Sequence, residues 1–135
     1  MKRKAFIEAF ESCRLTQEQF RHADHVKLAW AYLCEYPLPE TMIKLREGLK
    51  RFADHLGAAG LYHETITFSY AALIAERMRR TPGGRDWSRF CRQNPDLFQF
   101  KGGPLGSYYQ KETLDSDLAR SIFILPDRIQ QGLRA

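Results

Sequence analysis

Cysteine is scarce in this 135-residue chain, and Cys13, Cys34 and Cys91 are odd in number, far apart and never arranged as C-x-x-C. That excludes a disulfide framework and a zinc ribbon, and points to reduced thiols in a cytoplasmic protein. No apolar run approaches the ~20 residues that a membrane span needs. The basic start Met1-Lys-Arg-Lys is followed by Glu8 and Glu11 rather than by the apolar core of a signal peptide. A cytoplasmic chain with no membrane partner is therefore expected. No serine sits in a G-x-S-x-G turn, and Gly102-Gly-Pro-Leu-Gly106 lacks the Lys-Ser/Thr of a P-loop. Strand patterning is nearly missing: the single β-leaning run, Ser121 to Leu125, is cut short by Pro126.

What is present is ordinary globular composition, with 44% hydrophobic, 13% aromatic and 27% charged residues. The length suits one domain over residues 1–135, large enough to bury roughly 68–70% of its unfolded surface. The net charge of +5 comes from 21 basic against 16 acidic residues. Arg77, Arg79, Arg80, Arg85, Arg89 and Arg92 gather much of it. The first three fall at a predicted helix C-terminus, where cations complement the helix dipole. No nucleic-acid motif accompanies them, so nucleic acid is an unfavoured partner.

Apolar periodicity predicts five to six helices in an up-and-down, all-α bundle. The first covers about Arg3 to Cys13. Thr16 and Gln19 form a capping-box pattern that opens a second helix, broken near His22 and running to Glu35. Pro39 starts a third, reaching Leu56 with Met42, Ile43, Leu45, Leu49, Phe52 and Ala53 on its apolar face and Gly57 as its stop. A fourth begins near His63, carries Ile66, Tyr70, Leu73, Ile74 and Met78 inward, and ends at Thr81-Pro-Gly-Gly84. Asp86 caps a short fifth over Trp87 to Arg92, an irregular stretch spans Asp96 to Ser107, and a last helix runs from Leu114 to Ile124, capped by Asp115 or Thr113. Ile122 and Ile124 belong either to the core or to a seam with a second copy or partner protein.

The chemistry is concentrated in histidine. His22 and His25 are three apart and share a helix face with Val26, Ala29 and Leu33, which turns both imidazoles towards the core. His63 opens the fourth helix on the face of Ile66, Thr67, Tyr70 and Ile74. In an up-and-down bundle the second and fourth helices run parallel, so His22, His25 and His63 converge at one end. Three neutral imidazoles there suit a divalent metal, iron or zinc, with Asp24 or Glu64 as fourth ligand or general base. Trp30, Thr67 and Tyr70 are the candidate substrate contacts, Thr67 being favoured over Thr65, which lies ~200° away from it on the helix. His55 and the 101–109 loop are further candidates on topology alone.

The two histidine segments, Phe20-Arg-His-Ala-Asp-His25 and Tyr62-His-Glu-Thr-Ile-Thr67, resemble a small family of bacterial all-helical proteins. The likeness extends from about Phe20 to Pro126 and takes in the Asn94-Pro-Asp-Leu97 turn. It implies a helical fold and attaches no activity. Two functional readings lead from the residues: a metal-dependent enzyme or enzyme component acting on a small molecule, and a non-catalytic ligand-binding or accessory protein whose histidines hydrogen-bond the ligand. A basic nucleic-acid adaptor ranks third, because it leaves the histidines unexplained.

Overall fold

Aromatic side chains at helical spacing in α1 (Arg3–Glu11) begin the core: Phe6 and Phe10 are buried together with Ala9. The computed structural model describes residues 2–100 and 103–128. Among them lie seven α-helices and no strand. α1 stops two residues earlier than its periodicity predicts, because Cys13 turns the chain with φ 56. Thr16 and Gln19 do exchange reciprocal bonds, Gln19 N–H to Thr16 Oγ1 at 3.2 Å and Thr16 N–H to Gln19 Oε1 at 2.9 Å. They close a turn rather than open a helix.

The predicted break near His22 is instead where α2 (His22–Glu35) starts. The Asp24 carboxylate reaches back to accept the Arg21 backbone N–H at 3.0 Å, satisfying one donor of the helix start. α3 (Leu38–His55) has Pro39 in its first turn and ends at Gly57, whose φ of 70 is left-handed. A 3-10 turn, Ala59–Leu61, leads to α4 (Glu64–Arg80). α5 (Trp87–Gln93) is capped by the Asp86 side chain, which accepts from Arg89 N–H.

The stretch read as irregular holds two 3-10 turns, Pro95–Phe98 and Pro104–Ser107. The single last helix of the sequence reading is in fact two, α6 (Lys111–Leu114) and α7 (Asp117–Ser121), with Ser116 rather than Asp115 or Thr113 as the cap of the second. Residues 122–128 beyond it form no helix. Thr65 supplies the reason: its hydroxyl donates to Ile122 O at 2.8 Å and accepts from Ile124 N–H at 3.1 Å, pinning a strap onto α4. Tyr109 adds a bond from its hydroxyl to Ile124 O. Ile122 is half exposed and Ile124 partly buried, while Ile43, expected on the apolar face of α3, is 57% exposed.

α2 is the central element, packing on α1, α3 and α4, and α4 packs in turn on α3 and α7. The core has two aromatic ends. Phe10, Phe20 and Phe52 meet with ring centroids 5.1–6.0 Å apart and tie α1, the 14–21 turn and α3 together. On the other side Trp30 lies 5.1 Å from Trp87 and donates its indole N–H to Gly84 O at 2.8 Å. Among the described residues no helix is long and apolar enough to cross a membrane.

Gly48 permits the close approach of α3 to α1, since a Cβ there would lie 2.5 Å from the Phe10 ring. Phe10 is 1% exposed and held between two other rings, so it has nowhere to go. Gly48→Ala gains up to ~1 kcal/mol of helix propensity, yet overpacking costs about 1–3 kcal/mol. A net loss of stability is expected in urea unfolding, with Gly48→Val worse than Gly48→Ala.

Candidate functional site

The N-terminal turns of α2 and α4 lie together against the C-terminal half of α3, as antiparallel neighbours require. Between them is a cavity of about 590 Å³. Its walls are mainly apolar: Val26 and Ala29 from α2, Leu45, Leu49, Phe52 and Leu56 from α3, Ile66 and Ile74 from α4, and Phe20 from the preceding turn. His22, His25, His63, Tyr62, Thr67 and Tyr70 line it as well, while Gln17, Leu61, Phe100 and Arg120 complete the wall with exposed side chains. The three histidines singled out from sequence therefore do share one space, and Thr67 rather than Thr65 borders it.

The three imidazoles are not equivalent. His63 is the N-cap of α4: its Nδ1 accepts the Ile66 backbone N–H at 3.1 Å, and its Nε2–H donates to Leu114 O at 2.7 Å. Both ring nitrogens are thus spent, and the two bonds together define the tautomer. His22 donates Nε2–H to Leu97 O at 2.9 Å, since a carbonyl can only accept, and its ring sits edge-on to Tyr70 at 5.3 Å and tilted against Phe100 at 5.2 Å. Nδ1 of this ring carries no hydrogen bond among the described residues.

His25 stacks on Phe20 with centroids 4.0 Å apart, and neither of its nitrogens has a hydrogen-bond partner among the described residues. The residue is solvent-exposed. Its pKa is lowered to about 4, first by the protein packed around it, then by His22, with Asp24 opposing. A neutral imidazole at physiological pH follows.

The two carboxylates proposed as acid–base groups have protein partners. Asp24 caps α2 as described above. Glu64 accepts from Arg46 Nε on both oxygens at 3.1 Å and from the Tyr62 hydroxyl at 2.5 Å. Burial, and then this bond to Glu64, hold the Tyr62 phenol well above its usual range. Thr67 gives its hydroxyl proton to His63 O at 2.7 Å. Trp30 is a core residue bonded to Gly84 and does not line the cavity; His55, exposed at the end of α3, does not line it either.

An iron or zinc ion would need at least three converging donors. Among the described residues no group of three or more His, Cys, Asp or Glu side chains is placed to hold one. The consumption of both His63 nitrogens gives a physical reason.

Comparison with protein-family models, with curated proteins and with solved structures gives no match.

Several contributors carried no sequence signal. The Leu97 carbonyl is a backbone group 75 residues from His22, and Arg46 reaches Glu64 from another helix. Arg77 was visible only as one of a basic run. It is instead bonded to both oxygens of Asp96 at 2.9 and 2.7 Å and to Asn94 Oδ1 at 3.0 Å, which holds the turn that presents Leu97.

Removing the His63 ring deletes a helix cap, worth about 1 kcal/mol, and a tertiary hydrogen bond worth about 1 kcal/mol. His63→Ala should lower the unfolding free energy by the sum, and His63→Asn, which restores the cap alone, should recover about half in denaturant titrations. His25 has the opposite role. Between pH 6.5 and about 4 the unfolded chain binds a proton at this ring that the folded chain refuses. Its contribution to stability is therefore full above pH 6.5 and is lost as the pH falls towards 4. The melting temperature of the wild type should fall more steeply over that window than that of His25→Gln.

Proposed function

We propose that this protein binds a small apolar molecule in the cavity between α2, α3 and α4, with His25 as a polar contact. The observation that carries this reading is a solvent-accessible, neutral imidazole whose nitrogens have no partner among the described residues, set in a mainly apolar wall. Such a group in a concave apolar site is available to a ligand. The cleft of about 590 Å³ is of the size that small-molecule sites have. Binding sites of this kind are mostly apolar with a small number of polar groups that orient the ligand.

Asp24 and Glu64, the carboxylates considered for acid–base work, are engaged by backbone or side-chain donors. Walls of Leu, Ile, Val and Phe supply affinity through burial at about 25 cal/mol per Å² of apolar surface.

The test is a titration with the neutral fluorescent probe N-phenylnaphthylamine. Wild type should bind it saturably at one site per chain with a blue-shifted emission. Leu49→Trp, which places a larger ring in the wall, should weaken binding by about tenfold or more, a loss of ~1.4 kcal/mol, with helicity by circular dichroism unchanged. A wild type that gives no saturable signal would overturn the reading.

A further inference from the structure

The polar groups around the cavity differ in what they have left to offer. The hydroxyls of Tyr62 and Thr67 are donated to Glu64 and to the His63 carbonyl, and both His63 nitrogens are used. Arg120, exposed, donates to Gly60 O. His22 and His25 have nitrogens to spare among the described residues. Because the Leu97 carbonyl holds the proton of His22 on Nε2, the neutral ring offers Nδ1 as an acceptor only. His25 is free to take either tautomer, so it accepts or donates as the ligand requires.

We propose that the ligand class is an apolar molecule bearing one hydroxyl group, which donates its proton to His22 Nδ1 and shares a second hydrogen bond with the His25 ring. This rests on the small-molecule reading above and adds the identity of the head group. A carboxylate has acceptors only and meets a lone pair at His22, besides bringing a charge into an apolar wall. An ether accepts but cannot donate. An ammonium donates but cannot accept, and carries its charge inside. A hydroxyl is both donor and acceptor and is neutral. The bond of His22 to Leu97 O makes that carbonyl the specificity-determining group, one removed from the ligand. The Arg77–Asp96 pair, through its hold on the same turn, positions it.

Three compounds with one naphthalene body separate the head groups: naphthol, its methyl ether and naphthoate, substituted at the same ring carbon, each used to displace N-phenylnaphthylamine at neutral pH. In wild type, naphthol should displace the probe at about a tenfold lower concentration than the ether, the effect of one hydrogen bond of roughly average strength. Naphthoate should be weaker than naphthol. In His22→Phe, which keeps a ring between Tyr70 and Phe100, naphthol and the ether should converge to within about twofold while the probe still binds. If His22→Phe does not fold, His25→Phe, which keeps the stack on Phe20, is the second variant, and the naphthol advantage should shrink there also. Equal displacement by naphthol and the ether in wild type overturns the proposal, as does tightest binding by naphthoate, which would point to Arg120, or an undiminished naphthol preference in a folded variant. Failure of the probe itself to bind wild type is a separate result and removes the small-molecule reading first.

Discussion

The ring of His63 joins two parts of the chain 51 residues apart, accepting from the first turn of α4 and donating to the carbonyl of Leu114. The α4 side of the cavity takes its position from this residue. It sets the residue at which α4 begins, and with it the face on which Ile66, Thr67, Tyr70 and Ile74 point inward. It also anchors α6 beside the start of α4, so that the strap held by Thr65 can lie along the helix. A helix start carries backbone donors with no partner of their own, and here a side chain that faces the site satisfies one of them. Spending both nitrogens on the fold is what makes His63 a poor metal ligand.

Aromatic and polar contacts frame the cavity on both sides. The Phe10, Phe20 and Phe52 cluster closes one end, with Gly48 allowing α3 to approach α1. Trp30 and Trp87 brace the other flank of α2, far enough from the site that Trp30 serves packing alone. Arg77, Asp96 and Asn94 fix the 3-10 turn after α5, and Asn94 extends this network inward through Thr81 and the Phe90 carbonyl. These groups hold the apolar walls apart, where a more pliant core would collapse on the space between them.

The neutral state of His25 connects this frame to chemistry. The protein packed around this imidazole makes it resist protonation, and the neighbouring His22 strengthens the effect. Neutral rings suit uncharged hydrogen-bonding groups. The same property makes the site sensitive to acid, because a proton forced onto His25 places a charge against Phe20 and the apolar wall.

Much of this fold could be read directly from residue patterns. Periodicity located α3, α4 and α5, and the C-terminal end of α2, to within a few residues, since these have breaker or capping residues at their ends: Pro37 and Pro39, Gly57, the Thr81 to Gly84 turn, Asp86. The parallel placement of α2 and α4 followed from topology, and it brings His22, His25 and His63 to one space. The sequence by itself determined the helical class, the main helix faces and which imidazoles border one cavity, because those depend on local periodicity and short connections. Only the tertiary structure decided what each imidazole is able to do. Leu97, Leu114 and Phe20 claim or leave the ring nitrogens by backbone carbonyls and ring stacking, and such contacts depend on distances between segments that no spacing along the chain encodes. The early end of the last helix at Ser121 has the same origin, since one hydroxyl on α4, that of Thr65, bonds the backbone of Ile122 and Ile124.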